Sequence, residues 1–180
     1  MTWLRPALAV GLTALLAACA SAPPRTPGSA APLSGRLLVK VAATHDVPAQ
    51  SHSASFELSG DEREGQMRLM GPLGTQVALA RWSTAGGATL QDAQGTRQFA
   101  DLAALADEAL GEPIPLGALL HWLQGRPWAA APHQPLAGGT GFVQLGWAVD
   151  LAQWADGALV EARRVDPPGV TVRAKLDRGS

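Results

Sequence analysis

A mainly β fold, an antiparallel sheet with two helices inserted at mid-chain, is what the sequence predicts, on three observations. From residue 35 on, apolar and polar residues alternate with period two in most segments. Between residues 101 and 125 the apolar period switches to the helical one. The alternating runs follow one another with short turns, the mark of antiparallel pairing. Composition agrees: of 180 residues, 47% are hydrophobic and 16% charged, which suits one domain with a real core.

The first strand starts at Gly35. Leu37, Val39, Val41 and Ala43 share one face, with Arg36 and Lys40 on the other. Ala54, Phe56 and Leu58 repeat the pattern against Ser55, Glu57 and Ser59, and Met67 and Leu69 alternate with Gln66 and Arg68. After the turn Gly71-Pro72-Leu73-Gly74 come a strand from about Gln76 to Trp82 and a short one at Ala88–Gln91. Asp101 is placed to cap a helix whose apolar stripe is Leu102, Leu105, Ala106, Ala109 and Leu110, stopped by Gly111. A second helix begins at Pro115, carries Leu116, Leu119, Leu120 and Leu123, and ends at Gly125. Phe142 to Trp154 reads as the longest strand, with Val143, Leu145, Trp147, Val149 and Leu151 on one face. Two strands close the chain: Ala158–Val165, then Val170, Val172, Ala174 and Leu176 against Thr171, Arg173 and Lys175. A sheet of about eight strands has more apolar face than two short helices cover, so curvature or a ligand cavity takes up the surplus.

The N-terminus reads as an address. Arg5 precedes 13 uncharged residues, Pro6 to Ala18. A membrane-spanning helix needs ~20 such residues, so the run is a secretory signal and not a span. Leu16-Ala17-Ala18-Cys19 resembles the bacterial lipobox, in which the cysteine is acylated and becomes the mature N-terminus. By that resemblance Cys19 is the lipid-attachment residue, and Ala20 after it points to the outer membrane. Acyl chains together anchor firmly where one chain alone holds marginally. Ala20 to Pro32 has four prolines and no large apolar side chain, and reads as a tether. The expected organisation is a signal peptide over 1–18, a lipidated start and tether over 19–33, and one folded domain over 34–178.

Catalytic chemistry finds little support. His45, His52, His121 and His133 stand at no ligand spacing, which argues against a metal site. His121 falls on the polar side of the second helix and reads as solvated. There is no GxSxG elbow, and the single cysteine is committed to lipid. Asp61, Glu62 and Glu64, with Arg63 among them, read as a solvated hairpin turn in preference to a carboxylate pair. Gly138-Gly139-Thr140-Gly141 precedes a strand and so lacks the geometry of a phosphate loop. A net charge of −1 argues against a nucleic-acid partner. The chain is therefore expected not to be an enzyme, with no cofactor and no metal. Gly71-Pro72-Leu73-Gly74 suits a type I turn with Leu73 near its tip. That leucine is either tucked in or merely tolerated, or it is an apolar finger for a membrane.

Together these features resemble the LolB family of outer-membrane lipoproteins over roughly Gly35 to Leu176. The resemblance rests on Gly35-Arg36, on Pro72-Leu73-Gly74, and on Leu110-Gly111-Glu112-Pro113-Ile114-Pro115-Leu116 leading into Trp122-Leu123-Gln124-Gly125-Arg126-Pro127. Gln144-Leu145-Gly146-Trp147 completes it. It implies a half-open antiparallel β-barrel, a curved sheet with an apolar concave cavity and a lid made of the two inserted helices. It implies a protein that receives acylated lipoprotein cargo from the periplasmic carrier LolA and inserts it into the outer membrane from the periplasmic face; apart from the resemblance, a monomer is the default expectation. Leu73 matches the family's protruding leucine, and Gly71, Pro72 and Gly74 form its loop. The expected cavity wall is Val39, Val41, Phe56, Leu58, Leu69, Leu79 and Trp147. The chain departs from the family in having only a tether before the first strand and in stopping soon after Leu176, which touches closure of the sheet. The alternative is a passive structural outer-membrane lipoprotein with a fully packed sheet.

Overall fold

The structure, a computed structural model, describes residues 32–46, 48–110, 114–164, 166–167 and 169–178. The expected signal segment, Cys19, the tether up to Ala31, and Gly111 lie outside these residues. Six strands come first: β1 (Leu33–Val41), β2 (Gln50–Gly60), β3 (Glu64–Met70), β4 (Gln76–Ser83), β5 (Gly87–Asp92) and β6 (Gly95–Phe99). The helices α1 (Leu102–Leu110) and α2 (Leu116–Trp122) follow. Then come β7 (His133–Pro135), β8 (Gly141–Gln144), β9 (Trp147–Asp150), the single turn α3 (Trp154–Gly157), β10 (Leu159–Arg164) and β11 (Val170–Leu176).

All eleven strands pair antiparallel in one sheet, in the order β6-β5-β4-β3-β2-β1-β11-β10-β9-β8-β7. Each hairpin neighbour pairs with the next, and the one distant pairing, β1 with β11, joins the two halves of the chain (Leu37 opposite Ala174, Val39 opposite Val172). β6 and β7 are the edges, so the sheet is an open, curved barrel. The C-terminal strand is not an edge at all: β11 is paired on both sides. Two expected strand regions are extended by β6 and β7, short polar strands whose sequences (GTRQF and HQP) carry too few apolar residues to announce themselves.

One apolar face runs across the sheet. The register aligns Leu37 with Ala54, Phe56 with Leu69, Leu69 with Ala78, and Ala80 with Leu90, and the helices lie against this face in one continuous core. Trp82, paired with Gly65, packs where a Gly65 Cβ would sit 2.5 Å from its ring, and its indole N–H donates to the Asp61 carbonyl at 2.7 Å. β11 buries Val170, Val172, Ala174 and Leu176 and turns Arg173 and Lys175 outward, as its alternation predicts.

The expected single strand from Phe142 to Trp154 is overturned. It is a hairpin, β8 and β9, closed by Leu145 and Gly146, followed by α3. Gln144 faces Trp147 across the turn, and both central residues have positive φ (Leu145 53°, Gly146 77°), the backbone of a type I′ turn. A two-residue turn reverses the chain and resets which side chains point inward. Phe142 and Gln144 are therefore buried, while Val143 and Leu145, expected on the apolar face, are exposed.

Candidate functional site

The lid is built as its sequence dictates. Asp101 Oδ1 accepts the Ala104 backbone N–H at 2.8 Å, capping α1, whose Leu105 and Ala106 are buried against the sheet. Glu108 on the outer side pairs with Arg97 of β6 at 3.0 Å, and Arg97 also pairs with Asp92 at 2.7 Å. α2 buries Ala118, Leu119, Leu120 and Trp122.

Between lid and sheet lies a cavity of about 80 Å³. Every residue lining it is apolar: Leu37, Val39, Met67, Leu69, Ala78 and Ala80 among the strand residues, with Leu105, Ala106 and Ala109 of α1 above them. Of the expected wall residues, Val39 and Leu69 line this cavity. Val41 sits half-buried on the same face, and Phe56, Leu58 and Trp147 are packed within the core. Leu79, though buried, does not join this cluster. It pairs with Arg68 and Gln91 on the opposite face, because a bulge at the β3–β4 hairpin sets Leu69 opposite Ala78 but Met70 opposite Gln76. One extra residue, Val77, moves the apolar side from odd to even positions of β4.

α2 is fastened to the sheet by polar contacts that the sequence did not announce. Gln144, 1% exposed, accepts the Trp122 indole N–H at 2.9 Å and the Trp128 backbone N–H at 2.9 Å. Its amide donates to the carbonyls of Trp128 (2.7 Å) and Ala131 (2.8 Å), so the buried amide is fully satisfied. Trp122 stacks edge-on against Phe142 and tilted against Trp147, with ring centroids 6.5 and 6.0 Å apart. The one signal for Gln144 in the sequence was a general one: an indole N–H buried with its helix, as that of Trp122 is, requires an acceptor.

The acidic turn also departs from expectation. Asp61 is the solvated turn residue foreseen, its Oδ1 accepting the backbone N–H groups of Arg63 (2.8 Å) and Glu64 (3.1 Å). Those two bonds, Arg63 first, hold its carboxyl below the usual carboxylate range. Glu62, by contrast, reaches the lid: Glu62 Oε2 bonds His121 Nε2 at 2.8 Å and accepts the Trp128 indole N–H. His121 is consequently half-buried and partnered, not solvated. Among the described residues no group of three or more His, Cys, Asp or Glu is placed to hold a metal.

At the end of the β3–β4 hairpin, the Gly74 N–H donates to the Gly71 carbonyl at 3.0 Å and the Gly71 N–H to the Thr75 carbonyl at 2.9 Å. Gly74 supplies the positive φ (73°) that ends the turn, and Pro72 the fixed φ that begins it. Leu73 is 92% exposed, so it is not tucked into the core. Leu69 and Ala78, a pair close to this turn, line the cavity, so one hairpin carries both. No helix among the described residues is long and apolar enough to cross a membrane.

Comparison with known proteins matches residues 32–177 to the family described as outer membrane lipoprotein LolB. The chain is 35% identical to the outer-membrane lipoprotein LolB of Bordetella petrii, over 95% of this chain and 91% of that one. It is 32% identical to the LolB of Bordetella pertussis, over 97% and 92%. To the LolB of Cupriavidus necator it is 31% identical, over 87% and 84%.

Proposed function

The chain belongs to the LolB family of outer-membrane lipoproteins, and from that premise we propose that it accepts acylated lipoproteins from the periplasmic carrier LolA and inserts them into the outer membrane. It acts from the periplasmic face, held there by lipid on Cys19. The observation that carries this reading is the joining of an all-apolar cavity under a helical lid to an almost fully exposed leucine on one hairpin. Acyl chains need nothing from the cavity but removal from water, which is non-directional and indifferent to the cargo's protein part. Each buried methylene contributes about 0.8 kcal/mol in carrier, receptor and bilayer alike, so transfer runs on the smaller differences in affinity among them, without bond chemistry.

The cavity of about 80 Å³ is small beside the ~300–1,000 Å³ of ordinary ligand pockets. The lid must therefore lift to admit acyl chains. α2 is fastened through Gln144 and Glu62, which leaves α1, alanine-rich and joined to the sheet by the exposed Arg97–Glu108 pair, as the part that moves. Leu73 is the residue that enters the bilayer during release. The reading of a passive structural lipoprotein with a packed sheet gains no support from a cavity lined by apolar side chains alone.

A transfer assay tests the proposal. LolA loaded with a lipoprotein is mixed with the mature form, residues 19–180 with Cys19→Ala, and with membranes, using Leu73 and Leu73→Glu forms. Both forms are expected to strip cargo from LolA, and only the Leu73 form to pass it into membrane. If neither strips cargo, the receptor reading fails.

A further inference from the structure

Among the described residues four large hydrophobic side chains are exposed: Leu73 (92%), Val77 and Leu145 (47% each) and Val143 (39%). They are not scattered. Leu73 and Val77 belong to the β3–β4 hairpin, and Val143 and Leu145 to the β8–β9 hairpin. Both hairpins turn at the same end of the sheet. Trp147, beginning β9, pairs with Arg164, Arg164 with Val170, and Val170 with Val41, the last residue of β1; β3 runs in the same direction as β1, and its last residue Met70 stands through Ser55 level with Arg36, five residues before Val41. In the strand order one hairpin lies to one side of β1 and the other beyond β11 and β10 on the other side, so the two tips flank the open sheet.

Leu145 is also held against its preference. The first central position of a type I′ turn calls for Asn, Asp or Gly, yet a leucine sits there at φ 53° with half its surface in water. With only half its surface covered, it gains far less from burial than a core leucine to offset the left-handed backbone. Strain of this kind in an exposed apolar residue points to a use outside the fold.

We infer that Leu145 is a second membrane-contacting tip, which seats the receptor on the bilayer together with Leu73. The inference deepens the proposed function and rests on it. A lipid surface is the partner that fits. Hydrocarbon accepts single apolar side chains wherever they land, whereas a protein partner needs one continuous complementary patch on the order of 800 Å² per side. The two tips lie on separate hairpins, with five strands of the sheet between β4 and β9, which favours the bilayer.

The test uses the mature form, residues 19–180 with Cys19→Ala and without the signal segment, floated with phosphatidylethanolamine–phosphatidylglycerol vesicles, together with thermal melts. Leu145→Glu is expected to weaken vesicle binding roughly ten-fold, the loss expected for one leucine kept from an apolar phase. Leu145→Asn is the sharper variant. It is expected to weaken binding similarly while raising the melting temperature by roughly 2–4 °C, since asparagine suits the turn. Ala85→Glu, at the opposite end of the sheet, is the charge control and is expected to bind as the parent does. Vesicle binding within two-fold of the parent for both Leu145 variants overturns the inference. So does an asparagine variant that loses binding and thermal stability together, which would make the leucine structural. If Leu145 variants bind vesicles normally but no longer take cargo from LolA, the tip is a protein-docking residue and the inference is equally wrong. Leu73→Glu in the same flotation separates the two levels: if it also binds normally, the membrane-finger reading of Leu73 falls as well.

Discussion

Asp61 shows how much one side chain can organise and how its contribution depends on pH. Its carboxylate accepts two backbone N–H groups across the β2–β3 turn, and those bonds favour the charged form. The carboxyl is thus more acidic folded than unfolded. Its stabilisation is fully present above the ordinary value of 3.8 and is lost as pH falls through the lower folded value. Wild type should therefore melt above Asp61→Asn near neutral pH, and the gap should close as acid is added below pH 3.8. Melts across that range check it; a gap independent of pH would contradict it. Leu73 and Asp61 were both readable as turn residues, because Pro, Gly and Asp carry their backbone preferences with them. Whether Leu73 faced in or out was not readable, since exposure is a property of the neighbours and not of the turn.

At the scale of elements, Gln144 is the part of the lid's framework on which most depends. Replacing it with leucine leaves the Trp122 indole, the Trp128 backbone N–H and two carbonyls without their partner. The expected loss is about 2–4 kcal/mol of stability, read as a shift in the denaturant midpoint at unchanged slope. A loss below ~0.5 kcal/mol would mean that these groups find other partners. The same segment is where the sequence misled. Phe142 to Leu151 alternates regularly enough to predict one strand, and Leu145-Gly146 is a poor copy of the Asn-Gly that marks a two-residue hairpin. The strands with strong alternation, β1, β2, β3 and β11, and both helices emerged where their periodicity put them. β6 and β7 did not, being edge strands fixed by their neighbours' hydrogen bonds more than by their own side chains.

The whole molecule is an open sheet that closes an apolar space only with the help of its lid. That architecture was legible as a surplus: more apolar strand face than two helices cover. The wall residues were legible in part. Val39 and Leu69 line the cavity, but the bulge at Val77 that sends Leu79 to the other face leaves no mark in the alternation of β4 taken alone. The central claim is that acyl chains occupy the space beneath α1. It is tested most directly by placing a photoreactive amino acid at Leu69, inside the cavity, and in a parallel variant at Gln91, exposed on the opposite face. Irradiation is carried out during transfer of a lipoprotein with radiolabelled acyl chains. Label is predicted on the Leu69 variant and not on the Gln91 variant. Equal labelling of both, or none at Leu69 while transfer proceeds, would contradict the account.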